Sequence, residues 1–278
     1  MRLELEATRL AWEINDAAYL NEFFGLIVEG KQRIGKTAYC CQSMAEAFGE
    51  WQYEEGPDDI VYARCVKPDY ETVKKWIVFP PKEFLGLIFD LPTDRQNKVL
   101  LWDDAGFWLF ALDWYEPFVK AVAKYIQLAG RQFNVLLFTT PSRKMVSNKV
   151  MEAIPELLIA RIKKATWLGR DSPKFKPRVA YIYERWDYPD GKKGGVYKQW
   201  MDIFDAILPD DFYNWYKPKS DQYLEIGRKI LESEYRAMQR KLTKKEKEET
   251  MELVHKVVGE PDKLKEIEEI LAMYEPSA

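Results

Sequence analysis

The sequence predicts an α/β fold: a three-layer core on a mainly parallel sheet, followed by a β-hairpin and a C-terminal helical appendage. Three observations carry that expectation. The apolar runs Phe23 to Val28, Val99 to Trp102 and Asn134 to Thr139 are continuous rather than alternating, as strands covered on both faces require. Stretches with helical spacing separate them, so each return to the sheet is a crossover. The 278 residues are 47% hydrophobic and 31% charged, which suits a packed core with a solvated surface.

Taken in order, Phe23 to Val28 reads as a buried strand, closed by a glycine-bounded loop and a helix from Lys36 to about Trp51. Gly56, Pro57 and Asp58 mark a turn before a second strand, Ile60 to Val66. Short helices come next, near Tyr70 to Trp76 and Lys82 to Phe89. Val99 to Trp102 is the third strand, Trp114 to Leu128 has helical spacing, and Asn134 to Thr139 and Leu157 to Ile162 are the fourth and fifth strands. Beyond Ile162, Val179 to Tyr188 and Val196 to Trp200 read as two strands around the turn-rich stretch Asp190 to Gly195. Pro209 and Pro218 punctuate an aromatic segment. Helices are expected at Asp221 to Lys241, Lys244 to Val258 and Asp262 to Tyr274, with Gly259 and Pro261 between the last two. The expected division is a core at 1–165, a hairpin and aromatic insertion at 166–218 continuous with it, and a helical appendage at 219–278.

Composition excludes several chemistries. The one histidine, His255, lies in the charged C-terminal stretch, so a Ser-His or Cys-His hydrolase lacks its base. Cys40, Cys41 and Cys65 show no CxxC spacing and read as buried, reduced thiols. No apolar run approaches the ~20 residues of a membrane span. The first ten residues mix charges into apolar positions and do not read as a signal peptide, so a cytoplasmic protein is the default. The net charge is only −3, yet Arg161 to Lys198 is rich in Lys and Arg, so a local basic face is expected.

The chemistry concentrates at Gly30-Lys31-Gln32-Arg33-Ile34-Gly35-Lys36-Thr37, which fits GxxxxGK[ST] between an expected strand and an expected helix. Gly30 and Gly35 let backbone N–H groups turn inward around phosphate oxygens. The helix that continues through Ala38 adds the positive end of its dipole. Lys36 is placed to neutralise β- and γ-phosphates, and the Thr37 hydroxyl to bind Mg²⁺. Val99 to Trp102 then delivers Asp103 and Asp104 to a strand end. Asp103 is the expected magnesium carboxylate and Asp104 the one that polarises water; the plainer role for Asp103 is a helix cap. The strand ending in Thr139 and Thr140 is expected between those two strands. Its threonines are candidates to face a γ-phosphate, or simply the start of a turn at Pro141. Together these residues indicate a P-loop nucleoside triphosphatase using ATP and Mg²⁺.

The block Tyr125-Ile126-Gln127-Leu128-Ala129-Gly130-Arg131, with Val135 to Ser142 after it, resembles the helix–Gly-Arg–strand–Thr block of the FtsK/HerA DNA-pumping ATPases. In that family the strand leads to a short helix ending in Ile-Pro and an edge strand containing Arg. Val146 to Ile154, Pro155 and the strand bearing Arg161 are similar to those elements, and the likeness covers roughly residues 24 to 165. The resemblance implies a homo-oligomeric ring acting on DNA. It also implies that Arg131 reaches a neighbouring subunit's nucleotide, with Arg143 and Arg161 as weaker candidates. A helix C-terminal cation is the plainer role for Arg131. The sequence departs from the family at Pro141, where a glutamine is usual, at Gln32-Arg33 in the loop, and at Asp104 in place of glutamate. The single ATPase domain is similar in size to viral genome-packaging members. Few histidines and many Lys/Glu pairs suggest a thermophile, an archaeal virus or a plasmid.

Two functional classes are consistent with these residues. One is a DNA motor, whose hairpin cations Arg178, Arg185, Lys192, Lys193 and Lys198 lie among Tyr181, Tyr183, Trp186 and Tyr197; an ordinary solvated hairpin has the same composition. The other is a nucleotide-controlled switch or assembly factor in replication or virion assembly. Its C-terminal helices would present Leu253, Val257, Leu264, Ile267 and Leu271 to a protein partner or to the core. A small-molecule kinase ranks below both, since no acceptor site or lid is evident.

Overall fold

The apolar runs form the sheet that their burial demands. The computed structural model describes residues 2–57, 60–92, 96–111, 116–186 and 195–258. Its elements are β1 (Arg2–Glu6), α1 (Arg9–Leu20), β2 (Phe24–Glu29), α2 (Lys36–Phe48), β3 (Glu50–Glu55), β4 (Ile60–Lys67), α3 (Tyr70–Val73), β5 (Ile77–Val78) and α4 (Pro81–Asp90). Then come β6 (Asn97–Trp102), α5 (Ala105–Trp108), α6 (Pro117–Ala129), β7 (Phe133–Thr140), α7 (Asn148–Glu152), β8 (Leu157–Lys164), β9 (Pro177–Trp186), β10 (Gly195–Asp205) and α8 (Asp210–Val258).

The main sheet runs in the order β10-β9-β8-β2-β7-β6-β5. Strands β8, β2, β7, β6 and β5 are parallel, and β9 and β10 extend that sheet as an antiparallel hairpin. As expected, β7 lies between β2 and β6, with Val28 opposite Thr139 and Trp102 opposite Phe138. This register puts the C-terminal ends of β2, β7 and β6 side by side, where open α/β sheets hold their ligands.

Each face of the sheet has its own cover. On one, Ile27, Leu100, Trp102, Leu136 and Phe138 pack with Phe84 and Ile88 of α4, Val122 and Ile126 of α6, and Val150 of α7. Trp102 and Phe84 stack at 4.2 Å between ring centroids. Pro81 and Pro117 open α4 and α6 at a first-turn position, where a missing N–H costs nothing. On the other face, α1 packs on α2 and against β6, β7 and β10. Its buried Leu10, Ala11, Ile14 and Ala17 form a helical stripe.

Four features differ from the sequence expectation. Strand β4 joins a second, three-stranded sheet of order β1-β4-β3 rather than the main one. Its polar, exposed neighbour β3 carries no apolar signature, and α2 accordingly ends at Phe48 instead of Trp51. Helix α1 is not expected from the sequence; Thr8 caps it by accepting from the Ala11 N–H, and Asn21 closes it in the left-handed conformation. Finally, the aromatic segment after Pro209 is the start of one helix, α8, which runs through Pro218 to Val258 instead of breaking there. An internal proline removes one backbone donor, but Asn214, four residues earlier, is exposed, so its carbonyl remains open to water.

Contacts divide the chain into two units with the break after Tyr216. The first holds both sheets and their helices, so the hairpin is part of the same unit as the main sheet. The second, as described, is the rest of α8. The hairpin tip with Lys192 and Lys193, the stretch Asp262 to Tyr274, and Leu264, Ile267 and Leu271 lie outside the described residues, as do the side chains of Arg185, Trp186, Leu253, Val257 and His255. Among the described residues, no helix is long and apolar enough to cross a membrane.

Candidate nucleotide site

Strand β2 ends at Glu29, and α2 begins at Lys36, so Gly30 to Gly35 form the connecting loop. Gly35 is its pivot. Its φ of 107° lies where side chains are disfavoured, and an added Cβ would stand 2.7 Å from Ala206 Cβ. Arg33 also adopts a left-handed conformation, with φ at 59°. Such reversals turn successive N–H groups towards one concavity. Lys31, Gln32 and Arg33 are exposed, whereas Lys36 and Ala38 are buried.

Lys36 Nζ donates back to the Gly30 and Lys31 carbonyls at 3.2 and 3.3 Å, closing the loop over itself. Burial lowers its pKa, while the Asp104 and Asp103 charges oppose that shift. The ammonium is thus held by the loop's own carbonyls and feels the charge of both carboxylates.

Asp103 is the hub. It is only 1% exposed. Its Oδ1 accepts from the Thr37 hydroxyl at 2.9 Å and the Thr139 hydroxyl at 2.5 Å. Its Oδ2 accepts from the Tyr216 hydroxyl at 2.7 Å. All three partners are neutral hydroxyls, and the Lys36 ammonium feels the Asp103 charge. A carboxylate and a threonine hydroxyl this close form a hard-oxygen donor set that suits Mg²⁺. Thr37 and Asp103 are thus brought together as expected.

Asp104 sits next to the hub with φ at 50°. Its N–H donates to Thr139 Oγ1 at 2.8 Å, which fixes the turn. The side chain keeps an exposed edge, yet the surrounding protein desolvates it. That desolvation and the Asp103 charge push its pKa up to about 6, against the pull of Lys36. Asp104 is consequently a carboxylate of raised basicity at the mouth of the site.

Thr139 faces the carboxylates rather than open space, so its hydroxyl links β7 to β6. Thr140 instead donates to the Ser142 carbonyl at 3.0 Å and begins the turn at Pro141. Arg131 lies elsewhere. It is exposed at the N-terminal end of β7, at the opposite end of the parallel strands from the phosphate loop. Arg161 is occupied within the chain by Glu29 at 2.8 Å and stacks over Tyr183 at 5.0 Å. The Glu29 carboxylate also accepts from the Arg143 N–H.

Two residues matter here in ways that the sequence does not reveal. Arg178, one of the hairpin cations, is buried and donates from Nε to the Ile34 carbonyl in the loop at 2.8 Å. Both its terminal nitrogens bind Asp171, whose carboxyl is held well below the usual range by Arg178 and then Lys164. Arg178 is a brace for the loop and not a cation open to DNA. Tyr216 reaches Asp103 from 113 positions away in the chain. No motif signals it, because its role depends on the start of α8 folding back across the strand ends.

The buried Cys40 and Cys41 have thiols pushed up by desolvation, and Cys65 is half-buried with the same direction. They take no part in the site. On the hairpin, Lys163 and Lys198 both lie over the Tyr181 ring, at 5.6 and 5.1 Å. With Arg161 on Tyr183, they make a cation-and-tyrosine face next to the strand bearing Glu29.

No family model matches the chain. It is similar to a curated protein of Sulfolobus spindle-shape virus 1, described as uncharacterized protein B-251. The two are 26% identical over 228 residues, covering 80% of this chain and 82% of the relative. Among solved structures, it is similar to the N-terminal domain of zonular occludens toxin from Neisseria meningitidis. That match has 11% identity and a TM-score of 0.29, and covers 69% of this chain and 98% of the other. The architecture itself, a mixed α/β unit with a mostly parallel sheet and a strand–loop–helix site, stands on its own geometry.

Proposed function

We propose that the chain is a magnesium-dependent nucleoside triphosphatase of the P-loop type, with ATP as its nucleotide. The observation that carries this reading is the convergence of Lys36, Thr37 and Asp103 at the end of a glycine-pivoted loop. The loop's N–H groups and the start of α2 would bind the phosphates. Lys36 would exchange two weak carbonyl contacts for phosphate oxygens. Thr37 and Asp103 would hold Mg²⁺, which supplies charge neutralisation at the β- and γ-phosphates. Asp104, raised in basicity and free of the Thr37 contact, would orient the attacking water.

The finer reading is an oligomeric motor on DNA, of the FtsK/HerA type and in a translocation or genome-packaging role. What supports it is the resemblance around Arg131 together with the cation-and-tyrosine face of Arg161, Lys163, Tyr181, Tyr183 and Lys198. The exposed Arg131, distant from its own loop, suits a residue that acts on a neighbouring subunit. A nucleotide-controlled switch is favoured by a different observation, the Tyr216 contact on Asp103. Turnover of ATP with Mg²⁺, with and without duplex and single-stranded DNA, separates these. A motor hydrolyses ATP faster when DNA is added and loses turnover as Lys36→Ala. Slow turnover unaffected by any DNA leaves the switch.

A further inference from the structure

The Tyr216 hydroxyl stands where a cation's oxygen neighbours belong. It donates to Asp103 Oδ2 at 2.7 Å, while the Thr37 hydroxyl donates to Oδ1 of the same carboxylate at 2.9 Å. One of the two proposed magnesium ligands, Asp103, is therefore shared with this side chain. The phenol is held there firmly. Its ring packs on Phe79 at 5.7 Å between centroids, and Phe79 is itself fixed by its carbonyl, which accepts from Trp102 Nε1 at 2.7 Å. Just before it on α8, Trp215 packs on Phe212 at 5.4 Å, and the fully buried Phe212 packs on Tyr70 of α3 at 5.1 Å. The ammonium of Lys74 lies over Trp215 at 5.9 Å.

We propose that Tyr216 is a displaceable latch: its hydroxyl competes with a nucleotide-bound divalent cation for Asp103, so that loading the cation releases the first two turns of α8. This rests on the nucleotide-site reading and adds a regulation of that site. The physical basis is one of lone pairs. A carboxylate oxygen that accepts a phenol proton is directed at that proton, and a hard cation with its ordered waters needs the same oxygen and the same space. The energy is asymmetric. A hydrogen bond to a buried carboxylate is among the stronger neutral-donor contacts, yet it is weaker than the pairing of that carboxylate with a divalent ion. The latch therefore holds without the cation and yields to it. Mg-free nucleotide has no claim on Oδ2 and would leave the latch closed. Because Tyr216 lies in α8, its displacement is a displacement of the helix start that carries Phe212 and Trp215.

The test uses the full chain and the non-hydrolysable ATP analogue AMP-PNP. Affinity is measured in excess Mg²⁺ and in EDTA for wild type, Tyr216→Phe and Lys36→Ala, and amide hydrogen exchange of residues 210–216 is followed alongside. The latch predicts that Tyr216→Phe binds the magnesium complex about tenfold more tightly and binds the analogue in EDTA as wild type does. It also predicts that residues 210–216 of wild type lose protection with Mg²⁺ and analogue together, but not with analogue in EDTA. Unchanged or weaker binding of the magnesium complex by Tyr216→Phe would overturn the latch alone, as would undiminished protection of 210–216. Equal behaviour of wild type and Lys36→Ala, with neither binding the analogue, would overturn the nucleotide site and the latch with it.

Discussion

Gly35 shows how tightly a single position constrains this site. Its left-handed φ and the nearby Ala206 leave no room for a side chain. Gly35→Ala should therefore distort the loop at a cost of about 1–3 kcal/mol and abolish nucleotide binding, which calorimetry with Mg²⁺–ATP would reveal; an unaltered affinity would mean that the loop is not the phosphate cradle. Arg178 acts through that loop. Arg178→Lys keeps the charge but loses the fork that spans the Ile34 carbonyl and Asp171. Weaker nucleotide binding with little change in far-UV circular dichroism is expected. Most of the site is legible in the sequence at this scale. Lys36, Thr37, Asp103 and Asp104 belong to local patterns in which spacing fixes chemistry, and the structure brings them together. Arg178 and Tyr216 are not legible, because their partners are distant in sequence and set only by the pairing of β9 with β8 and by the return of the start of α8. Thr140 is a turn residue, for the local reason that its hydroxyl finds the Ser142 carbonyl.

At the scale of elements, the start of α1 is held by two carboxylates from other parts of the chain. Asp202 of β10 accepts from the Arg9 and Leu10 N–H groups and from the Tyr39 hydroxyl, while Glu46 of α2 accepts from Thr8. Desolvation raises the pKa of both. Asp202→Ala strands four donors, the Trp200 indole N–H among them, and a loss of about 1–3 kcal/mol in urea unfolding is expected. The stacked pair of Trp102 and Phe84 joins β6 to α4 beneath the carboxylates. Trp102→Ala should cost about 3–5 kcal/mol and loosen the strand that delivers Asp103. The buried parallel strands are readable because burial on both faces makes each one a continuous apolar run. The elements that escape a sequence reading share the opposite property. β3 is largely exposed and β1 alternates charged with apolar residues, so neither leaves an apolar run to find; β4 is legible as a strand, but its place in a second sheet is not. Helix α1 is hidden because Trp12, Ala18, Tyr19 and Leu20 lie outside its buried stripe and blur the helical spacing.

For the whole molecule, the placement of Arg131 and of the hairpin cations sets what association can do. Arg131 is too far from its own loop to act there, so Arg131→Ala should leave nucleotide affinity unchanged and lower turnover only at concentrations where copies of the chain associate, as judged by sedimentation alongside the assay. Replacing Lys163 and Lys198 together by alanine should reduce DNA affinity and its salt dependence while leaving nucleotide affinity intact. Both outcomes depend on one claim, that the end of β2 binds a nucleoside triphosphate through Lys36, Thr37 and Asp103. Equilibrium binding of Mg²⁺–ATP by wild type, Lys36→Ala and Asp103→Asn tests it most directly. Saturable one-site binding by wild type, none measurable for Lys36→Ala, and loss of the magnesium dependence for Asp103→Asn are expected; equal affinity in all three would mean that the end of β2 is not the nucleotide site.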